Sequence, residues 1–140
     1  MSLKAINAYK KGSLKQDIAA ADPHRLTLML MQGALDRLAY AKGCISREDL
    51  KGRSDNLSKA TAIFMNLRGT LNMNVEGDFS ENMYNLYGYI IDKLTEVNTQ
   101  NGIEIIDEVI ALYAPLKDAW ALIPEQAKQE AYTASQAANG

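Results

Sequence analysis

One cysteine, one histidine, one tryptophan and three prolines are all that 140 residues contain of those types, and each scarcity removes a class of chemistry. Cys44 alone cannot close an internal disulfide, and a lone cysteine in a chain of this size fits a reducing compartment. The opening residues have no basic stretch leading into an apolar run, so no secretory signal is expected and the cytoplasm is the expected location. His24, the single histidine, falls in the first turn of an expected helix, where a solvated side chain is the ordinary outcome. It has no partner for a bis-histidine haem. The Glu-x-x-His pairs of carboxylate di-iron bundles are also missing, because Ala21 stands three residues before it. No apolar run approaches the roughly 18 residues that cross a bilayer, so no membrane insertion is expected. No glycine-rich loop follows a strand to cradle phosphate, and no nucleophile has a base at a useful spacing. Catalysis, cofactors and metals are therefore not expected. Glu104, Asp107 and Glu108 read as the wet side of an amphipathic helix.

What is present begins with charge. The net value is −2, but residues 1–70 hold 12 Lys/Arg against 6 Asp/Glu, whereas residues 71–140 hold 3 against 11. Basic first-half helices packed on acidic second-half helices would partly neutralise one another within one fold. No RNA- or DNA-binding signature accompanies the basic half, so no nucleic-acid partner is expected.

The apolar residues recur with helical period. Asp22-Pro23 is a helix start: the carboxylate caps free amides, and proline suits the first helical position, where its missing N–H costs nothing. The first helix is predicted from Pro23 to about Lys42, with Gly43 as its stop. "SRED", Ser46 to Asp49, offers a cap with an acid three residues on for a second helix reaching about Leu71, its first turns weakened by Gly52. "VEGDFSE" makes the next break, with Asp78 as cap and Glu81 three residues later. A third helix then runs to about Asn98, and Asn101-Gly102 turns into a fourth. The stripes are Leu57, Ala60, Phe64, Leu67 and Leu71 in the second helix, and Met83, Leu86, Tyr87, Ile90, Leu94 and Val97 in the third. The fourth repeats at Ile103, Ile106, Ile110, Tyr113 and Trp120. Pro115 removes the bond to the Ala111 carbonyl, so a kink or loosened turn is expected there.

No stretch alternates with period two, and the connections are short. The expected fold is all-α: an antiparallel up-down four-helix bundle with an additional short N-terminal arm or helix. Residues 1–123 form the domain, including an arm over residues 1–21 that carries Leu3, Ile6, Tyr9, Leu14 and Ile18. Residues 124–140 read as a polar, flexible tail.

More apolar surface is present than one core requires. The first helix is apolar almost all round, with Leu26, Met29 and Tyr40 opposite its main stripe. In "ENMYNLYGYI" the wheel places Tyr87 in the core, with its hydroxyl reaching a polar partner at the bundle edge. Tyr84 and Ile91 fall on a shoulder, and Tyr89 points outward among Asn85, Asp92 and Lys93. Three readings fit: a surface that holds another protein's segment, a bundle that takes an apolar small molecule beside Tyr84 and Tyr87, or a structural adaptor for a folded partner.

"AYKKGS", "ADPHRLTLMLMQGAL", "LSKATAIFMNLRGTLN", "ENMYNLYGYIIDKLTEVN" and "DAWALI", in that order and spacing, resemble the flagellar secretion chaperone FliS family from about Ile6 to Ile123. The chain departs from the family pattern at Met29-Leu30-Met31, where Met-Leu-Tyr is usual, and at Pro115. The resemblance implies an export chaperone without catalysis. Such a chaperone binds the C-terminal segment of flagellin, prevents its premature polymerisation in the cytoplasm and delivers it to the flagellar type III export apparatus, whose gate includes FlhA. It further implies that Ile6 and Tyr9 belong to a self-covering arm. Met29, Tyr40, Ile63, Tyr84, Tyr89 and Ile91 become candidate client contacts, and the free protein is expected as a monomer or weak homodimer.

Overall fold

The computed structural model describes residues 22–71 and 78–123. The arm with Ile6 and Tyr9 and the tail over residues 124–140 lie outside the described residues. Among the described residues there are four helices, α1 (Pro23–Ser46), α2 (Leu50–Gly69), α3 (Phe79–Thr95) and α4 (Gly102–Ala121). Among the described residues there is no strand.

Local chemistry explains most of the boundaries. Asp22, in extended conformation, accepts a hydrogen bond from the Arg25 amide at 2.7 Å, and Pro23 follows it. Gly43 does not stop α1. Three more helical residues follow it, because Cys44 is buried and Ile45 packs against the core. Burying a side chain of that size contributes about 1.5–3 kcal/mol, more than the ~1 kcal/mol that a helical glycine costs. The reversal comes instead at Glu48, in the left-handed region with φ 59°. Asp49, rather than Ser46, caps the next helix and accepts from the Gly52 amide at 2.9 Å. Gly52 is required by close approach, since a Cβ there would lie 2.7 Å from the Cys44 sulfur.

Asp78 stands at the cap of α3 without a side-chain bond. That helix ends at Thr95, short of the expected Asn98, because Asn98 and Asn101 build the turn themselves. The Asn98 amide donates to the Asn101 side chain at 2.8 Å, and the amides of Gln100 and Asn101 donate to the Asn98 side chain. The helix α4 runs unbroken through Pro115. Proline and Ala111 both lie on its exposed side, where water can satisfy the carbonyl that has lost its donor.

Each helix packs on two neighbours in the order α1, α2, α3, α4 and back to α1. Every adjacent pair is antiparallel. His24 meets Trp120 while Ile45 lies against Gly102, and Arg68 meets Tyr84 while Arg53 reaches Thr99. The up-down bundle expected from the short connections is thus the observed fold.

Its interior is centred on three aromatic rings from three helices. Phe64 meets Tyr113 edge-on, with centroids 5.1 Å apart and planes at 84°, and Tyr87 lies 6.2 Å from Phe64. The Tyr87 hydroxyl does not reach a partner at the bundle edge. It hydrogen-bonds the Tyr113 hydroxyl at 2.9 Å inside the core, where Tyr113 is wholly buried. Burial pushes both phenols above the usual tyrosine range.

The stripe of α4 differs at its start. Ile105, Ile106, Val109 and Tyr113 face inward, and Ile103 is exposed. Gly102 sets that register: it is buried under Ile45 and Val97, and a Cβ there would come within 2.6 Å of the Ile45 side chain. The anticipated neutralisation between halves is also slight. Among the described residues one ion pair, Lys42 with Asp107, joins them, while Lys93–Glu96 and Lys117–Asp118 are pairs within α3 with its cap and within α4. Most of the other charged residues among the described ones are exposed.

Candidate functional site

With Phe64, Tyr87 and Tyr113 filling the centre, functional surface has to come from the seams between helices. Residues spaced by three or four along a helix share a face, which assigns each outward side chain to a seam.

On the α1–α2 hairpin, Gly33 lies opposite Ile63, whose terminal carbon would be 3.7 Å from a Cβ at Gly33. Met29 and Tyr40 flank this glycine on the outer side of α1 and are 46% and 59% exposed. Arg37, 5.9 Å from the Tyr40 ring, donates to Asn56 of α2. Met29 and Tyr40 thus border the α1–α2 seam one turn before and two turns after Gly33, and Ile63 is half-buried opposite that glycine.

Tyr84, Gly88, Ile91 and Thr95 form a straight row on the side of α3 that faces α2. The Arg68 guanidinium lies 5.1 Å from the Tyr84 ring and beside Gly88. Further along, Leu57, Thr61, Ala62 and Met65 of α2 with Leu94 and Thr95 of α3 line an open groove of about 350 Å³. Tyr84 is 44% exposed at one end, and Ile91 packs partly into the core. These two candidates lie on the α2-facing side of α3, before the groove that Leu94 and Thr95 line.

Tyr89 is separate from both sets. It lies on the α4 side of α3, and its hydroxyl donates to Glu108 at 2.7 Å with the Lys93 ammonium 5.7 Å from its ring. The bond to Glu108 raises its pKa above the ordinary phenol value. Tyr89 is thus a tethered surface residue rather than an isolated aromatic. Tyr84 and Tyr87 are separated by packing: Tyr84 is exposed on the α2-facing side of α3, whereas Tyr87 is buried against Phe64 and Tyr113.

Sequence reasoning missed four outward apolar residues: Leu50, Phe79, Leu112 and Leu122 are exposed. Phe79 falls in the third helix's first turn on the same side as Leu86, so the wheel alone reads it as core. Only its place at the bundle's end exposes it.

His24 also departs from expectation. It is 5% exposed, its ring stacks on Trp120 at 4.7 Å and 7°, and its Nε2 donates to the Trp120 carbonyl. Trp120 Nε1 donates back to the His24 carbonyl at 3.0 Å. The pair joins the first turn of α1 to the last turn of α4, so two sparse residue types form one structural clasp. The other ring nitrogen, Nδ1, is buried without a hydrogen-bond partner.

The sequence comparison supplies the family. The family model described as flagellar protein FliS matches residues 5–127. The chain belongs to the FliS family. It is similar to the flagellar secretion chaperone FliSB of Pseudomonas aeruginosa, 38% identical over 119 residues that cover 85% of this chain and 94% of the relative. The flagellar secretion chaperone FliS of Vibrio cholerae is 34% identical over 122 residues, covering 87% and 90% of the two chains. That of Bacillus subtilis is 34% identical over 113 residues, covering 81% and 80%. FliS proteins are chaperones, not enzymes, which agrees with the absence of a catalytic constellation in the sequence. No helix among the described residues is long and apolar enough to cross a membrane.

Proposed function

We propose that this FliS-family chain is a cytoplasmic export chaperone that binds the C-terminal segment of flagellin, prevents its premature polymerisation and delivers it to the flagellar type III export apparatus, docking there on FlhA. The observation that carries the reading is the placement of Met29, Tyr40, Met65 and Tyr84, four large side chains left 44–59% exposed along two adjacent seams. A continuous segment crossing the outer side of α2 would cover all four. Met65 adds an unbranched side chain that adapts to different partners.

Coupled folding of a disordered segment buries on the order of 1,000–3,000 Å² and spends about 2–5 kcal/mol on ordering, which suits holding followed by release. Ile6 and Tyr9 of the N-terminal arm are proposed to cover part of this surface in the free chaperone, a monomer or weak homodimer, and Ile63 and Ile91 to supply its floor. Tyr89 is proposed as a client contact only where the segment also reaches the α3–α4 side.

Calorimetry with a flagellin C-terminal peptide tests the main point: micromolar or tighter binding is expected, and no heat at tens of micromolar rejects it. Tyr84→Ala should weaken that binding by more than ~1 kcal/mol with little change in unfolding. Equal affinity would return Tyr84 to ordinary surface.

A further inference from the structure

We propose that the outer seam between α3 and α4 is a second docking site, for an amphipathic helix that carries lysine or arginine and belongs to a protein partner. Of the four neighbouring pairs, α3 and α4 are the least closely packed. Apolar side chains from both helices turn toward the opening: Leu86 is half-buried, and Tyr89 and Leu112 are each 41% exposed. At the end near the Asn98–Asn101 turn the same seam is flanked by Glu96, Glu104 and Glu108, all exposed. The seam is therefore apolar toward one end and acidic toward the other.

Lys93 is the one described cation in the seam; it pairs with Glu96 and lies 5.7 Å from the Tyr89 ring, which leaves Glu104 and Glu108 without a lysine or arginine partner among the described residues. Residues 78–123 carry eight Asp/Glu against two Lys, and both lysines are held by acids close by, Lys93 by Glu96 and Lys117 by Asp118. The cation that crosses from the other half, Lys42, meets Asp107 on the opposite flank of α4. This sign selects the occupant. Nucleic acid and anionic lipid surfaces are repelled, and an acidic helix would set like charges against the seam. A basic helix complements it, with apolar anchors against Leu86 and Leu112 and its cations at the glutamate end. The 17 residues of α3 make a seam of roughly 25 Å, about the length of a helix of 15–18 residues. The inference concerns the chemistry of the docked helix and goes beyond the flagellin reading, which rests on the two seams beside α2.

Two synthetic 18-residue peptides with one leucine stripe, bearing lysine or glutamate at the polar positions, serve as probes for calorimetry on the full chain. The lysine peptide should bind about tenfold tighter at low salt, and ~0.5 M salt should remove most of that advantage. Glu104→Gln combined with Glu108→Gln, and separately Leu112→Ala, should each weaken the lysine peptide several-fold. Arg37→Gln on the distant α1–α2 seam should leave it unchanged. Equal binding of both peptides, an Arg37→Gln effect as large as the glutamate one, or tighter association with anionic vesicles would overturn the proposal. So would amide shifts at Lys10 and Lys11 on making the glutamine variants without peptide, which would assign the seam to the chain's own first residues.

Discussion

Replacing Tyr113 with phenylalanine deletes one oxygen from the centre of the bundle and leaves every ring in place. The Tyr87 and Tyr113 hydroxyls are 2.9 Å apart, and the two side chains are 3% and 0% exposed. In Tyr113→Phe the Tyr87 hydroxyl remains buried with no protein partner and little access to water. Stranding a buried hydroxyl costs about 1–3 kcal/mol, whereas replacing both partners by apolar groups of the same shape is close to neutral. Tyr87→Phe strands Tyr113 in the same way. The double variant should therefore be more stable than either single variant, and the cycle should show a coupling of about 1–2 kcal/mol. For a domain of this size each kcal/mol corresponds to roughly 3–6 °C in Tm. Urea unfolding of the four proteins, compared at constant m-value, measures it. Costs that simply add would refute the reasoning, because they would mean that each hydroxyl is independently satisfied.

Three further outcomes follow from other contacts. His24→Ala should destabilise the fold by about 2–3 kcal/mol through loss of the stacked ring and its bond to the Trp120 carbonyl; fluorescence of Trp120, the chain's one tryptophan, should change with it, and an unchanged spectrum would contradict the clasp. Gly102→Ala should cost about 1–3 kcal/mol, because the added methyl would meet the Ile45 side chain at 2.6 Å and Val97 at 3.0 Å; a melting scan checks this, and relief by Ile45→Val would locate the clash. The bond that Tyr89 donates to Glu108 raises the phenol's pKa, so its contribution is present below about pH 10, the unperturbed value, and is lost as pH rises through the raised one. Ultraviolet titration of Glu108→Gln should move one tyrosine back toward that ordinary value.

Much of the architecture was legible in the chain because periodicity survives folding. Ala60, Phe64 and Leu67, and Tyr87, Ile90 and Leu94, are buried as the wheel places them, with Leu57 half-buried beside them. Asp22 caps α1 as its chemistry requires. Readings failed where a residue's environment comes from a distant segment. Gly43 reads as a stop until Ile45 has Gly102 to cover. His24 reads as solvated until Trp120, ninety-six positions away, arrives to stack on it. Charge behaved similarly: halves of opposite sign invite mutual neutralisation, yet most charged residues face outward and one pair spans them among the described residues.

For the candidate surface, composition and the wheel marked Met29, Tyr40, Tyr84 and Tyr89 as surplus to one core but could not say which of them meet. Wheel angles are measured about a single helix axis, and a seam needs two. Packing set Gly33, on the same face of α1 as Met29 and Tyr40, against Ile63, placed Tyr84 on the α2-facing side of α3 beside Arg68, and tied Tyr89 to Glu108 on the other side of α3. By itself, then, the sequence determined the helical class, the four helices of the described residues and most of the inward-facing positions of the second and third, since these depend on spacing along one chain. Tertiary structure alone decided the two-hydroxyl core, the His24–Trp120 clasp and the grouping of exposed side chains, since each depends on distances between residues that the chain keeps far apart.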